Sequence, residues 1–330
     1  MEYRNVGDSG LKVSEISLGS WINCSNTEDM GEAVSTIRKA YDLGINFFDT
    51  SNAYHEGRAE TILGEALSGY SRDSYVLATK VYWPVGDGPN DRGLSRKHIF
   101  SQIEKSLKRL KTDHVDIYYC HWFDAGVPFE ETLRAMDDLV SKGLVLYTGV
   151  SNWTAAQIAY GLRVTDRFRL HKIIVNQSSY NMLDRYLERE TIPLSKLEGI
   201  GQVVYSPLAQ GALTGKYSLD GKYPAGSRAA NPLAGGEVSI YDFLTMPILE
   251  CVGQLKELAA EAGLSLGEMA LAWVLRDPVV ASALTGASSK GQVEMNAKAS
   301  GIKLPGDVLE RIGQILDSQD FALKHNIVPW

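Results

Sequence analysis

Residues 46–67, NFFDTSNAYHEGRAETILGEAL, set Asp49, Tyr54 and His55 directly behind a short strand-prone run, where a buried strand should end. The same layout recurs along the chain. Apolar runs alternate with helical segments of about three to four turns, and eight runs read as strands: ISLGS, NFFDTS, YVLATK, VDIYYCH, VLYTGVS, IIVNQS, QVVYSP and VVASALTGA. Residues near the strand ends (Gly19, Asp49, Lys80, His121, Ser151, Gln177, Ser206, Gly286) are separated by 30, 31, 41, 30, 26, 29 and 80 positions. Each of the first six steps fits one βα unit. The last carries an extra loop, KYSLDGKYPAGSRAANPLAGG, and two helical patterns, MPILECVGQLKELAAEAG and SLGEMALAWVLRD, the second opened by a Ser265/Glu268 capping box.

Runs that are apolar throughout suit parallel strands covered by helices on both sides, and eight βα units favour a closed (β/α)8 TIM barrel. A doubly wound open sheet is the rival, but no G-x-G-x-x-G follows the first strand. Before the first strand, YRNVGDSGLKVSE reads as an N-terminal β-hairpin turning at Asp8-Ser9-Gly10. One barrel domain is expected over 1–330, with extra C-terminal helices and a long cofactor loop at about 208–245.

A net charge of −7 would repel nucleic acid and anionic lipid on average. Cys24, Cys120 and Cys251 are scattered without C-x-x-C spacing, which suits reduced thiols and no metal site. With no signal-like start and no apolar run of about 18 residues, the expectation is a cytoplasmic protein without membrane insertion. The N-x-S/T sequons at Asn23, Asn152 and Asn176 are then incidental. GDGPNDRG, GALTGKY, HEGRA and GVSNW each lack a residue that the nucleotide, zinc-protease or nucleophile-elbow motifs require.

In a barrel, the C-terminal strand ends converge on one face, so Asp49, Tyr54, Lys80 and His121 become neighbours. A tyrosine is a poor proton donor at neutral pH, but a nearby ammonium favours the phenolate and is expected to lower its pKa. Lys80 can provide that ammonium, Asp49 can hold it charged, and His121 can donate a hydrogen bond to a substrate carbonyl. His55 has no role in this scheme. Trp21, Trp83 and Trp122 each follow a strand end, so with Tyr54 and His121 they would wall an aromatic substrate pocket.

FFDTSNAYHEGRAETILGEAL, VLATKVYWP, RGLSRKHIFSQIEKSLKRLKTDHVDIYYCHWFD, TGVSNW, NQSSYNML, VVYSPLAQGALTGKY and LTGASSKGQVEMN together resemble the aldo-keto reductases. The resemblance spans nearly the whole chain and implies a (β/α)8 barrel that binds NADP(H) without a Rossmann motif. It carries the family's catalytic tetrad onto Asp49, Tyr54, Lys80 and His121. Nicotinamide contacts fall on Ser151, Asn152 and Gln177, with Tyr205 stacking on the ring. The pyrophosphate segment falls on Ser206, Pro207, Leu208, Gln210 and Lys216, and the adenosine end on Gly286, Ser288, Gln292 and Asn296. Ser20, Trp21 and Asp49 complete the cofactor set.

Many members carry an arginine for the 2′-phosphate where this chain has Gln292, so Arg228, assisted by Lys216, is the substitute clamp. The motifs are closest to the branch containing voltage-gated potassium-channel β subunits. In that branch the histidine position is often asparagine, whereas His121 is retained here. That favours an enzyme, so the reading is NADP(H)-dependent reduction of aldehydes, with ketones as a second class, and its rival is a cofactor-sensing or channel-associated subunit with little turnover. A Schiff-base isomerase or aldolase using Lys80 is a third reading, weakened because Asp49 favours the protonated amine. The partner implied is a small carbonyl compound, and self-association into a homo-oligomer is compatible with the chain.

Overall fold

A computed structural model describes residues 1–23, 30–218, 220–230 and 240–318. Cys24, Leu219 and residues 231–239 of the long loop lie outside them. Strands β1 (Tyr3–Asn5) and β2 (Lys12–Ser14) pair antiparallel as the expected hairpin. The other eight strands, β3 (Ile16–Gly19), β4 (Phe47–Asp49), β5 (Val76–Val81), β6 (Val115–Cys120), β7 (Val145–Ser151), β8 (Ile173–Ser179), β9 (Gly201–Tyr205) and β10 (Val280–Thr285), pair parallel. They close into a barrel as β10 returns to β3. The open-sheet rival is thereby discarded.

β5 and β6 are buried at every position, which is why they lack the regular polar–apolar alternation of a half-exposed strand. One set of side chains faces the surrounding helices. The other fills the barrel, where Phe47, Val76, Ala78, Ile117, Tyr119, Val175, Val203, Ala281 and Leu284 pack with Val6 and Val13 of the hairpin. Fully burying one such Phe or Val contributes about 1.5–3 kcal/mol. The Tyr119 ring needs a neighbour without a side chain: a Cβ on Gly149 would stand 2.6 Å from it.

The hairpin covers the N-terminal end of the barrel. Asp8 N donates to Gly199 O at 2.9 Å, and Gly7, at φ +55°, lies so close to the start of β9 that a Cβ would be 2.2 Å from Gly199 O. The added helices, Met246–Glu261 and Leu266–Val274, precede β10. The Ser265 capping box forms as read, with Glu268 N donating to Ser265 Oγ at 3.2 Å and Ser265 N to Glu268 Oε2 at 2.8 Å. C-terminal helices follow at Lys290–Ala297 and Gly306–Asp317. Cys120 and Cys251 are buried free thiols. No helix among the described residues is long and apolar enough to cross a bilayer.

Candidate active site

Strand register assembles the site at the C-terminal mouth. Asp49 pairs with Ala78, which sets Lys80 one pleat beyond it, and Val81 pairs with Cys120, so His121 emerges beside Lys80. Lys80 and Asp49 are fully buried and ion-paired. The ammonium also donates to Thr50 O at 2.8 Å and to the Tyr54 hydroxyl at 3.4 Å. The second Asp49 oxygen accepts from Gln177 Nε2 at 2.9 Å. Burial raises the Asp49 pKa against the opposing Lys80 charge, and burial lowers that of Lys80 against Asp49. Each ion is costly alone in this enclosure and is held by the other.

Tyr54 opens a tight turn, Tyr54–Gly57, in which His55, Glu56 and Gly57 take φ of +49°, +56° and +86°. Left-handed backbone in succession is strained for the two non-glycine residues and swings Tyr54 back over the strand ends. His55, without a role in the sequence scheme, anchors this turn through Nε2 to Trp21 O at 3.2 Å. The expectation that Lys80 lowers the Tyr54 pKa is corrected. Desolvation of the phenol, and secondarily the Asp49 charge, raise it well above its ordinary value, so the hydroxyl stays protonated.

His121 is buried, with Nδ1 3.1 Å from Ser51 Oγ and its ring edge-on to Tyr54 at 5.6 Å. Burial, then the Lys80 charge, lower its pKa well below the ordinary histidine value, leaving a neutral ring. Trp83 lies 6.2 Å from that ring and 5.7 Å from Trp122, while Trp21 lies 6.3 Å from Tyr54. These centroid distances put Trp21 beside the tyrosine and Trp83 beside the histidine, with the buried Trp122 against Trp83.

The remaining residues named from the sequence lie at or beyond the C-terminal ends of β3, β7, β8, β9 and β10. Ser151, at the end of β7, is buried and accepts from Asn152 Nδ2 at 3.2 Å. Asn152, at φ +58°, accepts from the Tyr205 hydroxyl at 2.9 Å, tying the ends of β7 and β9. After β9, Pro207 is buried and Leu208 half-buried. Ser206, Ala209, Gln210 and Gly211 turn through φ of +52°, +47°, +56° and +103°, and Lys216 is exposed with Nζ 5.3 Å from the Tyr217 ring. Beyond β10, Gly286 is exposed, Asn296 is buried, and Gln292 folds back to accept from Ser288 N at 2.8 Å. The Arg228 guanidinium is half-buried 5.1 Å over the Trp21 ring, at the end of β3, the barrel neighbour of β10.

A nicotinamide dinucleotide fits these residues. The Ser20 hydroxyl is buried at this mouth with no partner among the described residues. Left-handed residues interspersed after β9 make the kind of backbone concavity that accepts phosphate oxygens. Sequence reasoning missed Ser51 and Glu60. Glu60 is fully buried, accepting from Thr79 Oγ1 at 2.6 Å and from Arg109 Nε at 2.6 Å, near enough for its charge to act on Lys80. The signal for Glu60 was an acid two positions into a helix that must pack on β5.

The sequence profile of the Aldo/keto reductase family matches residues 15–317. The chain is 43% identical over 324 residues to a protein of Arabidopsis thaliana described as "Probable voltage-gated potassium channel subunit beta", covering 97% of this chain and 98% of that protein. It is 42% identical, with the same coverage, to one of Oryza sativa subsp. japonica that carries the same description. An eight-stranded parallel barrel with an acid, a tyrosine, a lysine and a histidine at one mouth, matched by that profile over most of its length, makes this chain a member of the aldo/keto reductase family.

Proposed function

We propose that the protein is a cytoplasmic NADP(H)-dependent oxidoreductase of the alcohol dehydrogenase type that reduces aldehydes, and ketones as a second class, to alcohols. The observation that carries this reading is the neutral Tyr54 hydroxyl 3.4 Å from the buried Lys80 ammonium, beside a neutral His121. NADPH, when bound, supplies the hydride. Ser151, Asn152 and Gln177 hold its carboxamide and Tyr205 its ring face. Ser20, Trp21, Ser206, Pro207, Leu208, Gln210 and Lys216 line its pyrophosphate. Gly286, Ser288, Gln292, Asn296 and Arg228 take the adenosine end.

The chain's own chemistry is proton transfer and orientation. His121 donates a hydrogen bond to the carbonyl oxygen, and Tyr54 gives that oxygen its proton as negative charge develops there. A phenolate is left facing Lys80, whose charge Asp49 keeps in place. A raised resting pKa is compatible with this role, because the donor must keep its proton until the oxygen becomes basic. The indoles of Trp21, Trp83 and Trp122 exclude water and favour apolar or aromatic aldehydes.

A second reading, a cofactor-sensing subunit with little turnover, is favoured by the descriptions of the plant relatives as potassium channel subunits. Steady-state reduction of a simple aromatic aldehyde by purified protein with NADPH separates the two. Multiple turnovers support the enzyme; cofactor binding without turnover supports the sensor. The Schiff-base reading fits less well, because Asp49, Thr50 O and the Tyr54 hydroxyl engage the three N–H directions of Lys80. Borohydride trapping of a Lys80 adduct would revive it.

A further inference from the structure

Ser51 is buried two residues beyond Asp49, and its hydroxyl has three neighbours: His121 Nδ1 at 3.1 Å, Asn52 Oδ1 at 3.4 Å, and Ala53 N, which donates to it at 3.4 Å. The hydroxyl has one proton to give. Asn52 is oriented by its own amide, which donates to Gln102 Oε1 at 3.1 Å, so its carbonyl faces Ser51. Two proton arrangements are open: the second satisfies all three contacts, whereas the first leaves Asn52 Oδ1 without a proton from Ser51. In the first, Ser51 donates to Nδ1 and the imidazole proton sits on Nε2. In the second, Ser51 donates to Asn52 Oδ1 and Nδ1–H donates to Ser51, leaving Nε2 bare.

The first puts the serine proton on the shorter contact, 3.1 Å to Nδ1 against 3.4 Å to Asn52 Oδ1, and it is the one that leaves Nε2 a donor, as the carbonyl-reductase reading requires. The charged ring, which would carry both protons, is opposed by burial and by the Lys80 ammonium. A neutral imidazole has one N–H, so what Ser51 does at Nδ1 decides what Nε2 can do at the substrate. Only Nε2–H can donate to a carbonyl oxygen.

We infer that Ser51 is a positioning residue whose hydroxyl fixes the Nε2–H tautomer of His121 and turns that hydrogen toward the carbonyl oxygen. This rests on the carbonyl-reductase reading for the choice of tautomer and for its consequence, but not for its test. The tautomer is read on uniformly 15N-labelled protein without substrate, by long-range 1H–15N correlation of the imidazole nitrogens, with the His121 pattern assigned by its loss in His121→Asn.

The wild-type pattern is expected to show protonated Nε2 and unprotonated Nδ1. In Ser51→Ala, the Nδ1–H form should rise and kcat/KM for aldehyde should fall about tenfold, with the NADPH dissociation constant within about twofold of wild type. Ser51→Thr, which keeps the hydroxyl, should restore the wild-type nitrogen pattern. A wild-type proton on Nδ1, a doubly protonated ring, or an unchanged pattern in Ser51→Ala overturns the inference. Absence of aldehyde turnover by wild type, with the expected nitrogen pattern intact, would instead count against the reductase reading alone.

Discussion

Gln177, on β8, donates its side-chain amide to Asp49 Oδ2 at 2.9 Å, so one residue links the proposed nicotinamide contacts to the acid that holds Lys80. Gln177→Leu keeps the volume and removes the donor, leaving a buried carboxylate oxygen unpaired. Unfolding by denaturant should show a loss of about 1–3 kcal/mol, the cost of such an orphaned acceptor. A loss below about 0.5 kcal/mol would mean that Asp49 does not depend on this amide.

Tyr54→Phe removes the hydroxyl proposed to protonate the carbonyl oxygen. Turnover should fall by about 10²–10⁴-fold while NADPH affinity stays similar, as measured by steady-state kinetics and fluorescence titration. Wild-type kcat in this variant would defeat the assignment.

Acidification should report on His121. Its folded-state pKa is depressed by burial and by Lys80, so its contribution is present above the unfolded value of about 6.5 and is lost as pH falls toward the folded one. His121→Asn removes that titration. Between pH 7 and pH 5, wild type should therefore lose more stability than the variant in paired denaturant melts, up to the limit of about 2 kcal/mol that one extra proton on the unfolded chain can supply over that range. Parallel losses would show that the ring is not held neutral.

The indole wall is tested by substrate ranking. Trp83 stands 6.2 Å from the His121 ring whereas Trp122 is buried and its ring meets Trp83, so Trp83→Ala should reorder kcat/KM across a panel of aliphatic and aromatic aldehydes more than Trp122→Ala does. If neither changes the order, the pocket lies elsewhere.

Arg228 should separate NADPH from NADH. The guanidinium sits over Trp21 beside the strand that leads to Gln292, and the 2′-phosphate is the only charged group by which the two cofactors differ. Arg228→Ala should lose about 1–3 kcal/mol of NADPH preference while NADH affinity barely moves. Equal losses for both cofactors would show that this residue does not read the phosphate.

The barrel was legible because each buried strand is one apolar run of its own, and the four chemical residues because each follows the end of such a run. Lys80 and Asp49 are 31 positions apart in sequence, yet strand order alone makes them neighbours. What the sequence concealed depended on depth and backbone hand. A charge rule predicted a lowered tyrosine pKa, but burial, which no linear pattern displays, reverses its sign. The Ser51–His121 contact joins a loop to a strand end 70 positions away, and the left-handed turn at His55 and Glu56 has no glycine at either position to announce it. The seat of Arg228 over Trp21 likewise belongs to a loop without periodicity.

The hairpin packed under the barrel makes the molecule a vessel with a floor. Whatever meets Asp49 and Gln177 must then use the doorway at the other, C-terminal end. For the reaction proposed above, two guests sharing one exit must queue: the one seated deeper enters first and leaves last. A molecule that merely obstructs the doorway then halts traffic in both directions without touching Tyr54.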